Sequence, residues 1–252
     1  MRVVLFTEDS GSKGFEVARA VLQQALRQAS LGAEAIEPGP PELKPIVSAN
    51  GWKSPRHKDG VRLRRQVATY LLEDRLVVFH VDGDRTWRDR EGSENVRKFR
   101  EMIYERVEQI LREHPRPRAG HRDTLAVPGA ERGTTAIARL IGMHPFWSIE
   151  AWLYAAIPRL EPVDLEKTSA EWRAAIISRN EFDELVQPKD MPGGPGDTLN
   201  VALSREFKGQ PTAKLLAAGK SYAAFVQSLT EACAPENSDG GDPQGFGPPT
   251  AS

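Results

Sequence analysis

The sequence predicts an α/β fold: a parallel-sheet core sandwiched by helices, followed by a helical C-terminal portion. Three observations carry this reading. Val3-Val4-Leu5-Phe6 is a short β-rich apolar run that passes through a polar turn into helical spacing. A second run, Leu76-Val77-Val78-Phe79, ends in Asp82-Gly83-Asp84-Arg85. Between and after these runs lie segments of helical periodicity. Strands buried on both faces of a parallel sheet read as continuous apolar runs, and their alternation with helices is the α/β pattern. In such folds ligands gather at the carboxyl ends of the strands.

Taken in order, Val3–Phe6 is the first strand and Thr7–Gly14 the turn after it. Phe15, Ala18, Leu22, Ala25 and Ala29 recur at helical spacing, so a helix is expected from about Phe15 to Ser30, with Gly32 as terminator. Pro38 through Pro45 and Gly51–Gly60 read as loops. A helix from Val61 to Glu73 leads into the strand Arg75–Val81. Glu94–Glu113 is an amphipathic helix, with Val96, Phe99, Ile103, Val107 and Ile110 as its apolar stripe. A short strand is expected near Thr124–Val127. From Pro145 the pattern is helical, again at Ala170–Ser178 and Tyr222–Ala232, with a Pro/Gly loop at Pro188–Gly196. The expected division is residues 1–142 as the α/β core, 143–234 as the helical portion packed on or completing it, and 235–252 as a disordered tail. That tail carries four Gly, four Pro, three acids and no base.

The chain has 252 residues and a formal net charge of −1, which excludes a histone-like polycation. Its single cysteine, Cys233, excludes an internal disulfide and a zinc site built on paired thiolates. No apolar run approaches the ~20 residues of a membrane-spanning helix. Met1-Arg2 leads directly into a strand rather than a signal peptide, so a cytoplasmic location and no membrane partner are expected. Charge is uneven: Trp52 to Arg122 holds 18 Lys/Arg against 12 Asp/Glu. Arg62, Arg64, Arg65 and the stretch His114–Arg122 are its densest parts, and they suit either solvated surface or phosphate contacts to nucleic acid.

Asp82-Gly83-Asp84 is the sharpest chemical signal. Two carboxylates at i and i+2 directly after an apolar strand stand at the exposed end of a sheet, and Gly83 permits a bend that turns both toward one centre. Like charges this close repel unless a proton or a divalent cation intervenes, and hard oxygen ligands without cysteine favour Mg²⁺ or Mn²⁺. The bland alternative is a polar turn. Glu8 follows the other apolar strand and would meet Asp82 and Asp84 if the two strands are neighbours; otherwise it favours the following helix N-terminus. Glu150 falls among Phe146, Trp147, Tyr154 and Ile157 on a helix begun at Pro145. A carboxylate there needs a metal or a partner, or a later helix start that puts it in the first turn.

Strand-Glu8-turn-helix followed by strand-Asp82-Gly83-Asp84 resembles the Toprim fold of topoisomerases, primases and OLD-type nucleases. The segment His144-Pro145-Phe146-Trp147-Ser148-Ile149-Glu150-Ala151-Trp152-Leu153 is similar to a Glu-x-Trp-Leu helix of small stand-alone Toprim-like proteins, and Lys220–Phe225 to their terminal helix. The likeness spans about residues 2–230. It implies a Mg²⁺- or Mn²⁺-dependent nuclease of a prokaryotic phage-defence or repair system, acting beside an ATPase partner. Glu8, Asp82 and Asp84 would hold the metal, Glu150 would complete the catalytic set, and Arg62, Arg64, Arg65 and Arg85 would contact nucleic acid. One departure stands out. Those families carry Gly directly after the glutamate and another acid four residues on, where this chain has Asp9 and Ser12. A catalytically degenerate module that binds nucleic acid or an ATPase is therefore a second expectation. Asp82-Gly83-Asp84-Arg85-Thr86 also matches the Asp-x-Asp-x-Thr motif of haloacid-dehalogenase-type phosphatases, with Asp82 as nucleophile and Asp84 as acid/base.

Overall fold

The computed structural model describes residues 1–8, 11–32, 35–48, 51–54, 57–113, 136–146, 148–156, 170, 174, 182–184, 198–210 and 219–233. Among the described residues, four strands form one sheet: β1 (Arg2–Thr7), β2 (Ala35–Pro38), β3 (Leu76–His80) and β4 (Leu140–Met143). The order is β2-β1-β3-β4, and every pairing is parallel. Thr7 stands opposite His80, so the ends of β1 and β3 are level. β1 and β3 are central, and their apolar runs are buried on both faces. The expected α/β fold with a parallel-sheet core is what the chain adopts.

Alternate residues of each strand feed two hydrophobic layers. On one face Val3, Leu5, Leu76 and Val78 pack against α1 (Ser12–Gln28). The same layer receives α6 (Ile149–Ala156), α7 (Thr198–Phe207) and α8 (Lys220–Ala232). On the other face Val4, Phe6, Val77, Phe79 and Val81 meet α2 (Lys44–Ser48), α3 (Lys58–Leu72) and a long helical rod. The rod is α4 (Glu94–Lys98), a π-helical stretch (Phe99–Tyr104) and α5 (Glu105–Glu113) in succession. The π stretch turns Phe99 inward beside Phe79 and His144, at ring separations of 5.7 and 4.9 Å.

Several expectations shift. The first helix starts at Ser12 rather than Phe15, and the third at Lys58 rather than Val61. Ala35–Pro38, not expected as a strand, pairs with β1 as the edge β2. A boundary at residue 142 falls inside β4, and α6–α8 build one layer of the same core as β1 and β3. The strand near Thr124–Val127, the Pro/Gly loop Pro188–Gly196 and the tail from Pro235 lie outside the described residues. So does all of Ala170–Ser178 except Ala170 and Ala174.

The start of α8 is held from a distance. Gly219, at φ +147°, precedes it, and the Asp183 carboxylate fills the space a Cβ would take there. Asp183 accepts hydrogen bonds from the Ser221 N–H at 2.7 Å and the Ser221 hydroxyl at 2.8 Å, serving as a cap contributed from another segment. Trp152 donates its indole N–H to the same hydroxyl at 2.7 Å.

Candidate active site

β1 and β3 deliver Glu8 and Asp82 to the same carboxyl edge of the sheet. The Glu8 N–H donates to the His80 carbonyl at 3.2 Å, extending the β1–β3 ladder by one step. In return the Asp82 N–H donates to Glu8 Oε1 at 2.9 Å. The Glu8 carboxylate is thereby fixed against the backbone of Asp82, across the ends of β1 and β3. Burial foremost, then the negative charge of Asp82, pushes the Glu8 carboxyl up to about 7.

The turn between the acids is anchored at each backbone group of its first two residues. The Asp82 carbonyl accepts from Asn95 Nδ2 at 2.8 Å. The Gly83 N–H donates to the Pro145 carbonyl at 2.8 Å, and the Gly83 carbonyl accepts from Ser93 Oγ at 2.6 Å. Ser93 is also the N-cap of α4, its hydroxyl accepting from the Val96 N–H at 3.2 Å. The Phe146 ring lies so close that a Cβ at position 83 would meet it at 2.8 Å, which requires the glycine. Asp84 follows in the left-handed region at φ +50°. A solvated polar turn needs none of these ties.

Asn95 is the pivot. Buried at the start of α4, it donates from Nδ2 to the Asp82 carbonyl and to Asp84 Oδ2, the latter at 2.6 Å. Its Oδ1 accepts from Lys53 Nζ at 2.5 Å. A carbonyl and a carboxylate only accept, and an ammonium only donates, so the network fixes the amide orientation. Asp84 is exposed overall with one oxygen turned in to Asn95. That partial burial raises its carboxyl, against the lowering effects of Lys53, Asn95 and Arg85.

Behind the carboxylates sits His80, which is fully buried. Its Nδ1 lies 3.0 Å from Thr7 Oγ1 and its Nε2 3.4 Å from Asp82 Oδ1. His80 is the packed residue the sequence suggests, and it lies between Thr7 and Asp82. Asn95, Lys53 and Ser93 carry no sequence signal of a role here, because each reaches the turn from another segment.

The other candidates are placed differently. Glu150 is buried, but its helix begins at Ile149, so it occupies the first turn of α6. There it accepts from the Ser148 hydroxyl and from Asn200 Nδ2, the latter at 2.9 Å. These contacts tie α6 to α7 and not to the turn at Asp82. Arg64 is buried on α3, its guanidinium donating to the Met102 carbonyl at 3.2 Å, which corrects its expected place on a nucleic-acid surface. Arg62 is exposed and pairs with Glu42 at 3.2 Å; Arg65 and Arg85 are exposed. The basic stretch His114–Arg122 lies outside the described residues.

Among the described residues, no three His, Cys, Asp or Glu side chains form a group disposed to hold a metal ion. Glu8 and Asp82 are a two-carboxylate pair, with Asp84 diverted toward Asn95. Mg²⁺ is commonly held through one or two carboxylates plus substrate phosphate oxygens, keeping several waters, so the donor chemistry of this pair fits it. Among the described residues no helix is long and apolar enough to cross a membrane. Comparison with protein-family models, curated proteins and solved structures found no match.

Proposed function

We propose that the chain is a divalent-cation-dependent hydrolase of nucleic-acid phosphodiesters, with Glu8 and Asp82 at its centre. The observation that supports this is the delivery of Glu8 and Asp82 to one sheet edge, where the backbone of the turn between Asp82 and Asp84 is held by Glu8, Asn95, Ser93 and Pro145. Preorganised charge of this kind is what positions reacting groups. Glu8 and Asp82 would hold Mg²⁺ or Mn²⁺, which supplies Lewis-acid polarisation of the phosphate when bound. Thr7 and the buried His80 lie behind Asp82, with His80 Nε2 3.4 Å from Asp82 Oδ1, and would steady that carboxylate once it held a cation. Lys53, linked to Asp84 through Asn95, places a positive charge beside the turn for an anionic substrate. A Toprim-like assignment, a defence role and an ATPase partner belong to the same reading and rest on the sequence resemblance.

The test is cleavage of plasmid, single-stranded DNA and RNA with Mg²⁺ or Mn²⁺, beside a chromogenic phosphomonoester. Asp82→Asn should abolish polymer cleavage while the chain stays folded. Turnover of the monoester alone, with phosphate trapped covalently on Asp82, would transfer the site to the phosphatase reading. Nucleic-acid binding with no hydrolysis of any substrate would leave the binding module.

A further inference from the structure

A cavity of about 290 Å³ lies beside the Asp82–Asp84 turn, between the α4–π rod and α8, with β4 as its floor. It shares walls with the turn: Ser93 bonds Gly83, and the Phe146 ring lies against Gly83. Its size sits at the lower end of small-molecule sites, right for one compact ligand and too small for a duplex.

The lining divides by chemistry. Arg90, Arg97 and Arg100 line the cavity, against Glu91 as the acid among its lining residues. Arg97 is engaged by Glu101 at 2.9 Å, and Arg90 lies over the Trp87 ring at 4.7 Å. The Arg100 side chain is exposed, and its guanidinium has no hydrogen-bond or ion-pair partner among the described residues. The aromatic part is Trp87, set edge-on to Phe146 at 5.5 Å, with Phe225 of α8. His144 completes the floor. Its Nδ1 faces the Val81 carbonyl at 3.5 Å, and burial lowers the ring to about 4, so at neutral pH it is an uncharged imidazole. With the proton on Nδ1, Nε2 is an acceptor for a ligand N–H or O–H.

Guanidinium groups select phosphate, aromatic walls select a flat ring, and a neutral imidazole acceptor selects a donor on that ring or its sugar. We propose that this cavity binds a nucleoside monophosphate unit, its phosphate on Arg100 and its base among Trp87, Phe146 and Phe225. The unit is either a free mononucleotide or the terminal residue of a strand, which share this chemistry. Binding stands apart from hydrolysis at the carboxylate edge and goes beyond it.

Isothermal titration calorimetry of the full chain in EDTA, where no metal-dependent cleavage occurs, decides the matter. The probes are the four ribonucleoside 5′-monophosphates, adenosine, inorganic phosphate and a 5′-phosphorylated tetranucleotide. At least one mononucleotide or the tetranucleotide should bind saturably, and whichever is tighter identifies the source. Arg100→Gln, an exposed change, should weaken that binding by roughly tenfold, the loss of one charge-assisted contact. Ala224→Leu, which fills the cavity from α8, should remove binding, while Lys98→Gln on the same rod should leave it unchanged. Near-ultraviolet circular dichroism checks that each variant is folded. The proposal is overturned if neither nucleotide class binds, if phosphate alone binds as tightly as the nucleotide, or if folded Arg100→Gln and Ala224→Leu both bind like wild type. Nucleotide binding without cleavage, or cleavage without binding here, separates this proposal from the hydrolase reading.

Discussion

Glu8 and Asp82 are joined through a backbone hydrogen bond: the Asp82 N–H reaches Glu8 Oε1 at 2.9 Å. The contact keeps the two acids close however strongly their charges repel, since breaking it would orphan a partly buried N–H at the end of the central strand pair. Burial and the negative charge of Asp82 both oppose ionisation of Glu8 there, and a proton on Glu8 or a bound cation relieves that cost.

The first prediction concerns pH. The Glu8 carboxyl is raised from 4.5 to about 7, and the His144 imidazole is lowered from 6.5 to about 4. Between pH 4.5 and 7 the folded state holds more proton at Glu8 than the unfolded chain does, so this group's contribution to stability falls as pH rises. Between pH 4 and 6.5 the folded state holds less proton at His144, so that contribution falls as pH falls. The two slopes oppose each other over most of the same window. Glu8→Gln should remove the first, leaving a variant that gains on wild type as pH rises from 4.5 to 7, by at most about 3 kcal/mol at pH 8 in EDTA. Urea unfolding of both proteins at pH 4.5, 6 and 8 measures it; a constant difference across the series would refute the assignment.

The second prediction concerns metal. Mn²⁺ bound by the folded chain alone should raise its melting temperature, with about 2.7 kcal/mol gained at a hundredfold excess over Kd. Asp82→Asn should lose that rise, and without metal it should be no less stable than wild type, because a repelling charge is gone. An equal Mn²⁺ response in Asp82→Asn would place the ion elsewhere.

These expectations were partly legible in the sequence, for reasons that differ by residue. The strands carrying Glu8 and Asp82 announce themselves, since a central parallel strand must be apolar on both faces, and Val3–Phe6 and Leu76–Phe79 are. β2 did not, because an edge strand with exposed Ala35, Glu37 and Pro38 has no apolar pattern to show. β4 is four residues long with a glycine inside it, too short to separate from a turn by periodicity. Glu150 stands out in the sequence for a sound physical reason, a carboxylate at an apolar helical position. Helix phase counted from Pro145 could not place its partners, because Asn200 is fifty residues away. The Arg64 position shows the same limit: three arginines in four residues look alike until the helix turns one of them inward.

The third prediction follows for Glu150. Removing its carboxylate leaves Asn200 Nδ2 and the Ser148 hydroxyl without this buried acceptor. Glu150→Ala should therefore lower stability by about 1–3 kcal/mol for each hydrogen bond lost. Glu150→Gln, which keeps an acceptor, should cost less and retain any cleavage found for wild type. Loss of cleavage in Glu150→Gln at unchanged melting temperature would move Glu150 into the reaction instead.

The last prediction tests the pivot. Asn95 bridges Lys53 to the Asp82 carbonyl and the Asp84 carboxylate, and only an amide can donate to both acceptors while accepting from the ammonium. Asn95→Asp keeps the shape and replaces the donor with an acceptor facing two acceptors. The new carboxyl, crowded by Asp84, should titrate above the ordinary aspartate range, with Lys53 offsetting part of the repulsion. A carboxyl raised in the folded state contributes stability that declines as pH climbs above its unfolded value, so the penalty should be small near pH 4 and about 2–4 kcal/mol near pH 7. Asn95→Ala, which introduces no charge, should cost about 1–3 kcal/mol with little dependence on pH. Both should release the Asp82–Asp84 turn and reduce cleavage, yet only Asn95→Asp should recover stability on acidification. Thermal unfolding of the two variants from pH 4 to 8 separates loss of the donor from addition of charge. Equal pH dependence in the two would mean that Asp84 and Asn95 do not meet as the network requires.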